Sequence, residues 1–133
     1  MDTLGLLLEV RVHPANVQDR DGAKELLAPL QAKHWRLQQI WADASYRGEL
    51  LAWVHRLRQG RGHRRLHLEI VAKSAAAGFA VLPKRWIVER TFAWQGRSRR
   101  LSKDYEALCE TTETWIRIAM THLMVKRLAR CQL

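Results

Sequence analysis

The chain opens with a continuous apolar run that turns into an alternation, Leu6-Leu7-Leu8-Glu9-Val10-Arg11-Val12. That pattern predicts a strand with one largely buried face. The preceding Asp2-Thr3-Leu4-Gly5 reads as the tight turn of a hairpin, whose first strand is then expected upstream of Met1. A polar loop over residues 13–18 leads to Asp19 or Asp21, either of which can cap a helix carrying Ala23, Leu26, Leu27 and Leu30. Pro29 marks the end of that helix or a kink in it. Residues 37–42 predict a second strand, ending at Asp43, and Leu50, Leu51, Val54 and Leu57 share one face of a second helix. Residues 59–65 form a basic turn with Gly60 and Gly62, and residues 66–71 alternate as a third strand. Small residues over 72–80 lead to a helix headed by Pro83, where a missing N–H is harmless. A long last helix over residues 106–130 carries Leu108, Trp115, Ile118, Ala119, His122 and Val125. Strands alternating with helices predict an α/β fold with a mixed or partly parallel sheet flanked by helices.

Charge changes this picture from a fold to a partner. The 133 residues carry a net charge of +10, which makes the whole molecule attractive to polyanions. Nucleic acid is the first candidate and an anionic membrane surface the second. No apolar run approaches the roughly 20 residues of a spanning helix, so the membrane reading is the weaker. A hydrophobic fraction of 47% with six tryptophans points to a folded domain rather than a disordered tail. Cys109 and Cys131 lack the spacing of a metal site or disulfide framework and read as reduced thiols of a cytosolic protein. His55, His63 and His67 are interleaved with arginines and read as a basic loop rather than a metal cluster.

Two acids stand out against this background. Asp43 lies just past the end of an apolar strand, where ligands gather in sheets of this type. Glu89 sits on the Pro83 helix among Lys84, Arg85, Arg90, Arg97, Arg99, Arg100 and Lys103. Two divalent cations roughly 4 Å apart polarise a nucleophile and stabilise a leaving oxygen in phosphodiester chemistry, and carboxylates are their natural ligands. Arginines around such a site hold a DNA strand by its phosphates. Simpler roles are open to both acids. Asp43 can cap the helix that follows it, and Glu89 can pair with Arg85 or Arg90. Trp86, Phe92 and Trp94 suit a core, with Trp94, beside the cationic run, the best placed to stack on a base.

Several segments, in order along the chain, resemble bacterial insertion-sequence transposases of the DDE type. They are Asp2-Thr3-Leu4-Gly5-Leu6-Leu7-Leu8, His13-Pro14-Ala15-Asn16-Val17-Gln18-Asp19, Ala42-Asp43-Ala44-Ser45-Tyr46-Arg47-Gly48 and Arg85-Trp86-Ile87-Val88-Glu89-Arg90-Thr91-Phe92-Ala93-Trp94, followed by Arg99-Arg100-Leu101-Ser102-Lys103-Asp104-Tyr105-Glu106. The resemblance implies a ribonuclease H-like mixed sheet flanked by helices. It makes Asp43 the second acid of a catalytic triad and Glu89 the third, both holding Mg2+ or Mn2+. Arg47, Lys84, Arg85, Arg90, Arg97, Arg99, Arg100 and Lys103 are then expected to contact DNA, with Arg90 and Arg97 nearest the site. The implied partners are transposon ends and target DNA, an upstream-frame transposase polypeptide, and further copies in a homo-oligomer. The implied location is the cytoplasm, at the nucleoid.

The chain departs from that family in three places. Leu82 stands where some relatives place a tyrosine, and Gly96 occupies a usual basic position, with Arg97 one residue later. The first aspartate belongs on the first core strand, upstream of the Asp-Thr-Leu-Gly turn, so Asp2 is expected to serve the turn. The expectation is therefore a C-terminal portion of the catalytic domain, lacking the first core strand and inactive alone. A non-catalytic DNA-binding remnant and an unrelated RNA-binding module are the alternatives.

Overall fold

The computed structural model describes residues 1–57, 66–71 and 85–131. The basic turn at 59–65, the small-residue segment at 72–80, Pro83 and Lys84 lie outside the described residues. The chain forms two compact units, one of Ala15–Leu82 and one of Met1–Pro14 with Pro83–Leu133.

The contiguous unit is α/β. Helix α1 (Asp19–Lys33) is followed by strand β1 (Gln39–Ala42), a 3₁₀ turn (Ala44–Tyr46), helix α2 (Glu49–Arg56) and strand β2 (His67–Ile70). The two strands pair in parallel, with Ile40 opposite Leu68 and Ala42 opposite Ile70. Parallel neighbours need a crossover connection, and the segment containing α2 supplies it. Leu27 and Leu30 of α1, Leu50 and Val54 of α2, and Leu66 and Leu68 form the buried apolar core. The opposite face of the strand pair carries polar contacts: Glu69 Oε2 accepts hydrogen bonds from Gln39 Nε2 and Trp41 Nε1, both 2.9 Å long. Gln18, not an aspartate, occupies the cap position of α1, and Asp19 and Asp21 fall in its first turn, where the helix dipole favours negative charge. Pro29 lies inside this helix rather than at its end. Its ring removes one N–H from the ladder, yet the helix continues a further turn because Leu27 and Leu30 are buried on either side.

The discontinuous unit holds the N-terminal turn, helix α3 (Arg85–Gly96), a 3₁₀ turn (Arg99–Leu101) and helix α4 (Cys109–Cys131). The Asp2–Gly5 turn is present as expected. Asp2 Oδ1 accepts from the backbone N–H of Leu4 (2.9 Å) and Leu6 (2.8 Å), and Gly5 adopts φ +80°. The strand expected over residues 6–12 does not form. Two of its backbone groups bond to side chains of α4 instead of to a ladder. Val12 N–H donates to Glu113 Oε1 (2.9 Å), and Arg117 reaches both Val10 O (3.3 Å) and Glu9 Oε1 (2.7 Å).

Helix α4 also turns a different face inward from the one its apolar residues suggest. Met120 and Glu113 are buried, while Ile118, Val125 and Leu128 are more than half exposed. A buried carboxylate is tolerated here because it accepts from Val12 and lies 3.6 Å from Arg11 and 3.7 Å from Arg117. Glu113→Ala strands the Val12 N–H and removes a carboxylate shared by Arg11 and Arg117. It is expected to lower stability by about 1–3 kcal/mol, the partial exposure of both arginines keeping the loss below that of a fully buried pair. Chemical denaturation checks this, and a variant within 0.5 kcal/mol of the parent would refute the role given to Glu113.

Candidate active site and basic surface

Asp43 stands directly after β1, at the carboxyl end of the parallel pair, and is exposed. Its Oδ1 accepts from Ser45 N–H (2.9 Å) and from the Ser45 hydroxyl, so the carboxylate caps the 3₁₀ turn and is held in one rotamer. Capping was the simpler role open to Asp43, and it uses one oxygen. Among the described residues Oδ2 makes no hydrogen bond. Half-buried Tyr46 closes the turn; burial pushes its phenol pKa up, and the carboxylates of Asp19 and Asp43 push it further. It therefore stays a neutral phenol throughout the physiological range. Gly48, at φ +93°, lets the chain reverse into α2, and Arg47 beside it is exposed.

Glu89 lies in the other unit, exposed on α3, with exposed Val88 and Phe92 as neighbours on the helix surface. The side chains of α3 that point inward are Ile87 and Thr91. Thr91 Oγ1, fully buried, donates its one hydroxyl proton between two acceptors, Gly5 O and Ile87 O, each 2.9 Å away. The approach of the turn to α3 is close enough that a Cβ on Gly5 would stand 2.8 Å from Thr91 Oγ1 and 3.1 Å from the Trp94 ring.

The cations expected to contact DNA separate into two kinds. Arg90 is half-buried, and its Nη2 donates to Leu4 O at 2.8 Å. Its guanidinium lies 4.3 Å from the Trp86 ring centroid and 4.9 Å from that of Trp94. Arg127 lies over Trp94 at 4.3 Å as well, so that indole carries two guanidinium groups. Arg100 is exposed but lies 3.5 Å from Glu106 Oε1 and 5.2 Å from the Trp115 ring. By contrast, Arg97, Arg99 and Lys103 are exposed, and their side chains make no hydrogen bond or ion pair among the described residues. Lys84 lies outside those residues.

Comparison with protein families matches residues 1–124 to the transposase DDE domain. The chain belongs to this family. No curated protein and no solved structure matches it. The DDE domain takes its name from acidic residues that work with divalent metal, and Asp43 and Glu89 are hard oxygen donors of the right chemistry. Among the described residues, however, no three His, Cys, Asp or Glu side chains gather into a metal-binding group. Asp2, the remaining acid of a family-like motif, commits its Oδ1 to the N-terminal turn. No helix among the described residues of this DDE domain is long and apolar enough to cross a membrane.

Two features of the DDE domain escaped the sequence reading. Ser45 as the clamp on Asp43 was discoverable, since Asp-x-Ser is a turn-forming pattern. The division of the arginines was not, because it depends on a turn 86 positions away from Arg90.

Proposed function

We propose that this chain serves DNA transposition as the catalytic part of a DDE transposase with a ribonuclease H-like core. Asp43 and Glu89 hold Mg2+ or Mn2+, which when bound supplies charge stabilisation at the attacking and leaving oxygens of a phosphodiester. Water is the first nucleophile, cutting at the element's ends, and the freed 3′-hydroxyl then attacks target DNA. Arg47, Arg97, Arg99 and Lys103 hold phosphates, joined by Lys84 and Arg85 on sequence grounds. The observation that carries this reading is Asp43: a clamped carboxylate with a free oxygen at the carboxyl end of a parallel strand. The family match supports it.

The test is metal-dependent nicking of plasmid DNA bearing the element's ends. It uses the 133-residue chain alone and fused in frame to the polypeptide encoded upstream. Nicking is expected to need Mg2+ or Mn2+ and to vanish in Asp43→Asn and in Glu89→Gln. Cleavage that persists in both variants overturns the assignment of the two acids.

A second reading has its own support. With no three-acid group among the described residues, the chain can bind DNA through its basic surface without cutting it. Salt-sensitive DNA binding together with no nicking in either form selects this reading. RNA bound more tightly than DNA at matched salt excludes both.

A further inference from the structure

Trp86, Arg90, Trp94 and Arg127 form an alternating column of indoles and guanidiniums, with ring-to-cation separations of 4.3, 4.9 and 4.3 Å. The first three are spaced four apart on α3 and so share one of its faces. Arg127 enters from α4. Arg90 is the member that also leaves the column, donating from Nη2 to Leu4 O. Its Nε is buried and makes no hydrogen bond, so the indole faces are what offsets the charge at that end of the group. A phosphate would have to displace this arrangement to reach it.

We propose that Arg90 is a positioning residue: it locks the Glu89-bearing helix to the Asp2–Gly5 turn and is not a phosphate contact. Three adjacent positions on α3 divide the work. Thr91 fixes the depth of the helix against Gly5, Arg90 fixes its rotation against Leu4, and Glu89 is thereby held outward. Rotation is the quantity at stake. One residue on a helix turns the side chain by about 100°, so a small twist of α3 moves an outward carboxylate by several ångströms. Only arginine fits this place. A lysine ammonium carries the charge but cannot stack flat between two rings while donating sideways to a carbonyl. The consequence for Glu89 rests on its role as a metal ligand, proposed above; the clamp itself does not.

The experiment compares Arg90→Gln, Arg90→Lys, Trp86→Leu and Arg97→Gln in the full chain. Hydrogen exchange at the Leu4 and Leu6 amides reads the clamp, exchange in α4 checks that the fold persists, and Mn2+ titration reads Glu89. The salt dependence of binding to a random-sequence duplex reads phosphate contacts. Arg90→Gln and Arg90→Lys are both expected to speed exchange at Leu4 and Leu6 at least tenfold. The DNA salt slope should stay unchanged in both, whereas Arg97→Gln reduces it by about 0.9. Both Arg90 variants should weaken Mn2+ binding in the same direction as Glu89→Gln. A slope lowered by Arg90→Gln, or full rescue of exchange by Arg90→Lys, overturns the proposal. Should Arg90→Gln lose the α4 protection as well, the exposed Trp86→Leu decides: faster exchange at Leu4 supports the column, and no change refutes it. If Glu89→Gln leaves Mn2+ binding untouched while the exchange results hold, the metal-ligand reading fails and the clamp stands.

Discussion

Gly5→Ala is expected to lower the stability of the chain by about 3 kcal/mol, the largest loss foreseen for any single methyl group added to this protein. Two terms combine. At φ +80° an L side chain is strained by about 1 kcal/mol relative to glycine. The new Cβ would also stand 2.8 Å from Thr91 Oγ1, which is fully buried and cannot swing away without breaking its bonds to Gly5 O and Ile87 O. Relief therefore requires the turn to lift from α3, which also exposes Ile87. Gly48→Ala shows strain without collision: at φ +93° and ψ −127° its backbone is open essentially to glycine alone, while its Cβ would meet only the flexible end of Arg20 at 3.7 Å. The loss there, of about 1–3 kcal/mol, is strain only. Urea unfolding checks both variants. A Gly5→Ala loss of about 1 kcal/mol or less would mean that the turn does not approach α3 this closely.

Removing the three uncommitted cations together should produce the largest functional change. Arg97, Arg99 and Lys103 make no ion pair or side-chain hydrogen bond among the described residues, so their charge is available to phosphates without prior rearrangement. Each phosphate contact contributes roughly 0.9 to the slope of log affinity against log salt, so the triple glutamine variant should lose about 2.7. Between 1 M and 0.1 M salt that amounts to roughly 500-fold in affinity for duplex DNA. Arg100→Gln is the comparison within the same turn. Its guanidinium is shared with Glu106 and Trp115, and part of its charge is already answered. Its slope change should therefore fall short of that of Arg99→Gln. Equal slopes for the two would show that internal pairing does not set which arginines meet DNA.

Much of the contiguous unit is legible in the sequence because its signals are local. The alternation at 66–71 is dictated by Leu66, Leu68 and Ile70 facing the core, and β2 spans His67–Ile70. Asp43 falls at the strand end where the apolar run of β1 stops. The discontinuous unit is less legible for a physical reason. Periodicity assumes that charged residues face water, and Glu9 and Glu113 break that rule because Arg117 and Arg11 answer them from other parts of the chain. The apolar alternation at 6–12 thus reads as a strand although the Val10 carbonyl and the Val12 N–H bond to helix side chains. Arginine is the hardest residue type to place from sequence. The same basic stretch contains Arg90 beside two indoles and Arg97 in solvent, and only the tryptophans four residues to either side of Arg90 tell them apart.

The division of the chain into a contiguous and a discontinuous unit bears on how it is made. The Asp2–Gly5 turn leaves the ribosome well before α3, and the carbonyl of Leu4 meets Arg90 only after 86 more residues have been added. At about 5–20 residues per second that delay lasts roughly 4–17 s. Meanwhile Leu6, Leu7 and Leu8 trail ahead of residues 15–82, a compact unit that carries the described strand pair with α1 and α2 and can condense on emerging. Nascent chains of this protein therefore carry an uncovered leucine triplet for seconds, a length of time in which chaperone capture competes with release. Slowing translation before α4 should prolong that window, and trapping of ribosome-bound chains by a holdase should rise with it.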